Sequence, residues 1–167
     1  MQAQTTLIAH WTFDESSGPT AHDSTGSFDG TLSGTAAFVA GGISGNALSL
    51  DGATTSFVSM GTSVPGFTTD DFSLAAWVKT TTAASTALVA GKHYAGSLDG
   101  YFIFLNGSSG YGAAGKGYFY DSTNPGGVVT STTTVTDGNW HQLIGVYTAG
   151  GNIQLYVDGV SQGTTSS

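Results

Sequence analysis

The stretch Asp137 to Gly159, DGNWHQLIGVYTAGGNIQLYVDG, constrains the fold of this chain more than any other. Trp140 to Tyr147 is apolar, β-branched or aromatic at most positions, which suits a strand. Ala149-Gly150-Gly151-Asn152 follows, residues that tolerate the positive φ angles of a tight hairpin connection. Ile153 to Val157 then alternates, with Ile153, Leu155 and Val157 on one face and Gln154 and Tyr156 on the other. Asp158-Gly159 marks a second turn. An isolated hairpin is marginal in water, so this one requires a larger sheet.

The rest of the chain offers the strands to build it. The order is Leu7–Phe13, Thr31–Leu32, Ala36–Val39, Ala47–Leu50, Ser56–Met60, Phe72–Lys79, Thr86–Ala90, Tyr101–Leu105, Gly117–Tyr120 and Val128–Thr136. Phe72–Lys79, FSLAAWVK, reads as a central strand. Turn formers separate these runs, and none of about 12 residues carries helical periodicity. With 26 Gly and only 3 Pro in 167 residues, the composition suits short strands joined by Gly-rich turns. The pattern predicts a single all-β antiparallel domain over residues 5–160, with 161–167 as a polar, unstructured tail.

Charge and chemistry narrow the function. Eleven acidic residues face three lysines and no arginine, for a net charge of −8. Nucleic acid and anionic membranes are therefore poor partners. The chain has no cysteine, and hence no disulfide, zinc thiolate or thiol nucleophile. No segment is long and apolar enough to span a membrane. Glycosidases of sandwich architecture need two carboxylates facing one cleft. The close acidic pairs here, Asp14-Glu15 and Asp70-Asp71, are adjacent and point to opposite faces if extended. This reading predicts no enzyme.

Three groups of residues remain as candidates. Asp23 to Gly30, DSTGSFDG, gathers Asp23 and Asp29 with hydroxyls and free carbonyls, the hard oxygens that calcium takes; Asx-turns are the competing explanation. The segment from His93 to Asn124 carries five tyrosines beside Asp and Asn. A sugar site pairs an aromatic platform with such polar groups, which selects Tyr94, Asp99, Tyr118, Tyr120 and Asn124. Tyr118 and Tyr120 share a face, with Phe119 on the other; packing within the sandwich is the competing reading for each tyrosine. Trp11, Trp77 and Trp140 are expected in the core. His141 is expected to be hydrogen-bonded within the structure. His10 and His22 could approach each other, but lack a third ligand for zinc.

WTFDESSG, DSTG, GISGNALSLDG, FSLAAWVK, DGNWHQLIGVY and LYVDG occur in the order and spacing of a known family. Together they resemble the LamG-like, concanavalin A-like lectin/glucanase jelly-roll domains, over roughly Leu7 to Gly159. The resemblance implies an antiparallel two-sheet jelly-roll sandwich. It also implies a non-catalytic carbohydrate-binding module of a secreted or surface bacterial protein, or else an adhesion or structural module without a sugar site; a glycoside hydrolase or polysaccharide lyase is the remotest alternative. It further suggests a structural calcium near Asp23 and Asp29, with oxygen from the Gly45-Asn46 turn. In the family, further strands follow YVDG. Here eight residues follow Gly159, so the resemblance predicts either a truncated domain or an open sheet edge beside Leu7–Phe13, one that is covered by another chain or segment or else leaves the domain poorly stable alone.

Overall fold

The structure is a computed structural model that describes residues 6–65, 70–83, 86–94, 99–105, 113–122 and 127–165, with the backbone alone at 93, 94 and 99. The described residues are all-β, and the chain forms two compact units, Met1–Pro65 and Gly66–Ser167, where the sequence pattern suggested one domain over 5–160.

The N-terminal unit holds β1 (Thr20–Ala21), β2 (Gly30–Ser33), β3 (Ala37–Ala40), β4 (Asn46–Ser49) and β5 (Phe57–Ser59). β1, β2 and β5 form one sheet, and β3 pairs with β4 in a hairpin. Leu7–Phe13, expected as the first strand, makes only the isolated bridge Trp11–Asp23 among the described residues. Its alternating apolar pattern was misleading because its backbone bonds go to the Asp23 loop instead of a ladder: the Ser24 N–H donates to the His10 carbonyl and the Thr25 hydroxyl to that of Ile8. The His10 N–H donates to Asp23 Oδ1 at 2.8 Å, and Phe13 turns the chain with a φ of 56°.

The C-terminal unit holds β6 (Phe72–Lys79), β7 (Ala87–Tyr94), β8 (Asp99–Leu105), β9 (Lys116–Asp121), β10 (Gly127–Thr134), β11 (Trp140–Thr148), β12 (Asn152–Val157) and β13 (Val160–Thr165). Two four-stranded antiparallel sheets result, in the orders β10-β9-β8-β7 and β13-β12-β11-β6. Their facing sides share one core. Tyr101, Ile103, Leu105, Phe119, Val129 and Val135 come from the first sheet and the segment after it; Phe72, Leu143, Tyr147, Ile153, Leu155 and Val157 come from the second. Each such aliphatic side chain contributes about 1.5–3 kcal/mol on burial. The ring of Phe72 lies 4.7 Å from Tyr101 and 5.4 Å from Tyr147, tying the two layers together. β6 lies at the end of its sheet, not at its centre; its apolar residues on both faces made it read as central.

The β11–β12 hairpin turns at Ala149–Gly151 and the β12–β13 hairpin at Asp158-Gly159, as their sequences suggest. Asp158 and Gly159 have φ angles of 51° and 77°, both left-handed, as a two-residue connection of matching twist requires. β13 is a correction. Residues Val160–Thr165 pair with β12 instead of forming a loose tail. Polarity does not bar a strand from a sheet edge, where both faces can be wet. β13 also seals a flaw in β10, whose register slips between Thr130 and Thr134. The Thr132 and Thr133 N–H groups freed there both donate to Gln162 Oε1, at 2.9 and 3.1 Å.

Gly145 sits mid-strand in β11, facing the core, where a Cβ would overlap the ring carbons of Phe119. Gly145→Ala should therefore lower stability by about 1–3 kcal/mol through overpacking. A denaturant-midpoint shift equivalent to less than about 0.5 kcal/mol, the scale of neutral surface changes, would show that the sheets do not meet there.

Candidate functional site

Strand parity in the second sheet decides what faces solvent. In β6, Phe72 points inward, so Leu74, Ala76 and Val78 follow it while Ser73, Ala75, Trp77 and Lys79 point away. In β11, His141, Leu143, Gly145 and Tyr147 point inward, which turns Trp140, Gln142, Ile144 and Val146 outward. In β12 the outward residues include Gln154 and Tyr156. The register places Trp77 opposite Gln142, Lys79 opposite Trp140, and Tyr156 opposite Ile144. The outcome is a sheet face bearing Trp77, Trp140 and Tyr156, interleaved with two glutamine amides.

Trp77 is 47% exposed, and Trp140 and Tyr156 are partly buried. The expectation that all three tryptophans lie in the core fails for Trp77, because Phe72 fixes the parity of β6. Trp140 is on the same outer face, and Trp11 is half-buried with its Nε1–H donating to the Phe28 carbonyl at 2.7 Å. The side-chain amide of Gln142 makes no hydrogen bond among the described residues, whereas Gln154 Nε2 donates to Ser161 Oγ at 3.0 Å. An exposed indole beside an uncommitted amide can stack on an apolar ring face and exchange hydrogen bonds with hydroxyls.

The tyrosine-rich segment is organised differently. Tyr118 and Tyr120 do share a face, opposite Phe119, on the side of the first sheet away from the common core. Tyr118 is fully buried, stacked at 4.7 Å on Phe104, and its hydroxyl donates to the Ala113 carbonyl. It cannot serve as a platform in this state. Tyr120 is half-buried and stacked at 4.7 Å on Phe102. The backbones of Tyr94 and Asp99 pair across the β7–β8 hairpin; their side chains, and Asn124 entirely, lie outside the described residues.

The acidic loop of the N-terminal unit is closed on itself. Asp23 Oδ1 accepts the N–H groups of His10 and Thr25, and Oδ2 accepts those of Ser27 and Phe28 and the Thr25 hydroxyl. Those five donors exceed the roughly four lone-pair sites of a carboxylate. Burial alone would raise the Asp23 pKa, but these bonds, led by that of His10, hold it far below the usual carboxylate range. Asp29 accepts the Asp23 N–H at 2.8 Å and faces His22 Nδ1 at 3.0 Å; the first bond, then the second, lowers its pKa. Asn46 is not part of this pair. Its side-chain nitrogen donates to the carbonyls of Asp14 and Glu15, and the Gly45 carbonyl accepts from Gly41 and Gly42. Asp23, Asp29 and Asn46 thus do not fit a calcium ion as a set: the oxygens expected to bind it are occupied by N–H donors or turned to other partners. His10 faces Ser24 Oγ and His22 faces Asp29, and no cluster of three or more His, Asp or Glu among the described residues is placed to hold a metal.

One cluster outside these candidates is charged and tightly built. His141 is buried, with Nδ1 at 2.7 Å from Asp158 Oδ2 and Nε2 at 3.0 Å from Asp137 Oδ1. Only an imidazolium can donate from both nitrogens. Burial would lower the His141 pKa, but the hydrogen bonds and charges of Asp158 and Asp137 outweigh it, and the net shift is upward. Asp137 is lowered to about 2 by the Asn139 N–H, the Asn139 amide and then His141. Burial would raise Asp158, but His141 and the Gln142 N–H bring it down. The cluster ties the turn before β11 to the turn after β12, the hydrogen-bonded role expected of His141.

A two-sheet antiparallel sandwich with an aromatic outer face defines a class of β-sandwich domains rather than a reaction. The chain matches the family model of the concanavalin A-like lectin/glucanases superfamily over residues 51–167, and it belongs to that family. No curated protein and no solved structure matches it.

Two outcomes follow. Excess chelator should leave the melting temperature unchanged; a drop of several degrees, reversed by added calcium, would place an ion that these donors do not provide for. The His141 cluster should make stability depend on pH. The raised His141 pKa gives stability that is complete below its ordinary value of 6.5 and is lost as pH rises through the folded value. The lowered Asp137 pKa gives stability present above 3.8 and lost as pH falls towards about 2. The denaturant midpoint of the wild type should therefore exceed that of His141→Gln most between these limits, with the gap closing at alkaline pH. A pH-independent gap would mean that the imidazole is not charged.

Proposed function

We propose that this chain is a non-catalytic carbohydrate-binding module of a secreted or surface protein, and that its ligand rests on the outward face of β6, β11 and β12. The observation that carries this reading is Trp77: a large indole, 47% exposed in the middle of a regular strand, opposite an uncommitted glutamine amide. Indole has the largest apolar face of any side chain, and a ligand that covers it removes that area from water. The superfamily includes both lectins and glucanases. Asp137 and Asp158 flank a single imidazole, that of His141. Its hydrogen bonds favour the ionised form of both carboxylates over the proton-donating acid that glycoside hydrolysis requires, which supports the non-catalytic reading.

A glycan array and a pull-down on insoluble polysaccharide test the reading. Trp77→Ala should weaken binding about tenfold or more, equivalent to ~1.4 kcal/mol, while the melting temperature stays put because the side chain is at the surface. No reducing ends should be released from the bound polysaccharide. Failure of the wild type to bind any glycan would leave the face to a protein partner and overturn the carbohydrate assignment.

A further inference from the structure

We infer, on the basis of the binding face proposed above, that its ligand is an uncharged, extended oligosaccharide and that polyanionic glycans are excluded. Charge at the two ends of the face carries the argument. Asp70 and Asp71 precede β6 at one end, where Asp71 Oδ1 accepts the Ala149 N–H at 2.6 Å. Asp137 and Asp158 stand at the other end, beside Trp140 and Gln142, where Asp158 Oδ1 accepts the Gln142 N–H at 2.8 Å. Lys79 is the only lysine or arginine in β6, β11, β12 and β13; the other two lysines, Lys92 and Lys116, belong to β7 and β9. His141 adds a positive charge at one end, but it points inward and is shared between two carboxylates. A uronate or sulfate chain lying along this face would meet aspartates at both ends and one flexible ammonium, Lys79, at the end that Asp137 and Asp158 already occupy. It would find none of the bidentate arginine forks that recognise such anions. A neutral chain meets no such repulsion, and its hydroxyls match the glutamine amides.

The length of the ligand follows from the spacing of the rings. Trp77 on β6 and Tyr156 on β12 are separated by the intervening strand β11, which puts their backbones roughly 10 Å apart across the sheet. They are further offset by two residues along it, since Trp77 opposes Gln142 and Tyr156 opposes Ile144. A single sugar ring does not reach both. A chain running diagonally across the strands does, passing the Gln142 amide on the way.

Calorimetry of the full chain against neutral linear oligosaccharides of increasing length, against polygalacturonate and against a sulfated glycan tests this. The expected result is binding to a neutral series, tightening from monosaccharide to oligosaccharide and insensitive to salt. Trp77→Ala and Tyr156→Ala should each weaken it about tenfold. Binding confined to an anionic glycan, weakened by salt and by Lys79→Ala, would overturn the inference while leaving the face as the binding site. A monosaccharide bound as tightly as its oligomers would overturn the extended ligand. Binding to no glycan, or binding untouched by Trp77→Ala, would sink the underlying site and the inference with it.

Discussion

The contact between the Phe119 ring and the bare backbone of Gly145 sets the geometry on which the C-terminal unit depends. Sheets in a sandwich sit about 10 Å apart, filled by side chains from both inner faces. A full-sized phenyl ring directed at the middle of the facing strand leaves no room for a side chain there, so that strand must present glycine. Once Gly145 faces inward, period 2 forces Leu143 and Tyr147 inward with it. The same period forces Trp140, Gln142, Ile144 and Val146 outward. Core packing thereby selects the residues of the proposed binding face, which lies on the opposite side of the sheet. The antiparallel register carries the parity on to β6 and β12, and so to Trp77 and Tyr156.

A chain with eleven acidic residues and three lysines cannot neutralise its carboxylates by ordinary ion pairs. It uses backbone N–H groups instead. Asp23, Asp51, Asp71, Asp137 and Asp158 each accept at least one N–H at a turn or a strand end. Such charge-assisted bonds favour the ionised form and brace the connections of a fold rich in loops. A high acidic count therefore does not by itself imply bound cations: a carboxylate already surrounded by N–H donors has little left to offer a metal. The His141 cluster instead supplies a cation from within. It joins two turns adjoining β11 and β12, and so fixes the end of the sheet where Trp140 lies.

Much of the fold was legible in the sequence because the β signals are local. The Ala149-Gly150-Gly151 connection, the Asp158-Gly159 turn and the strands from Thr31 onward follow from turn chemistry and short apolar runs. Two classes of feature were not. The edge elements were missed or misjudged: β13 is too polar to stand out, and Leu7–Phe13 alternates like a strand although Asp23 takes the N–H of His10. Parity was the other loss. FSLAAWVK and WHQLIGVY are apolar on both faces, so alternation gives no sign of which face is buried. The inward direction is set by contacts between Gly145 and Phe119 and between Phe72 and Tyr101, pairs remote in sequence. The tyrosine cluster suffered from the same ambiguity. Tyr118 looked available because its strand alternates, yet it stacks on Phe104 and is buried.

That ambiguity has a functional side. A strand that is apolar on both faces is normally a strand covered on both faces. β6 and β11 have that composition, yet the outer face of β6 keeps a tryptophan 47% exposed, opposite an amide with no hydrogen bond among the described residues. A purely structural outer face would gain solubility from a lysine or threonine in place of that indole. Its place on a regular strand paired along its whole length with β11 holds the ring in position before any ligand arrives, so little ordering entropy is lost on binding. A loop-borne aromatic would lack that advantage. The feature that made these strands hard to orient from sequence, apolar character on the wrong side, is therefore the same one that equips the sheet to bind.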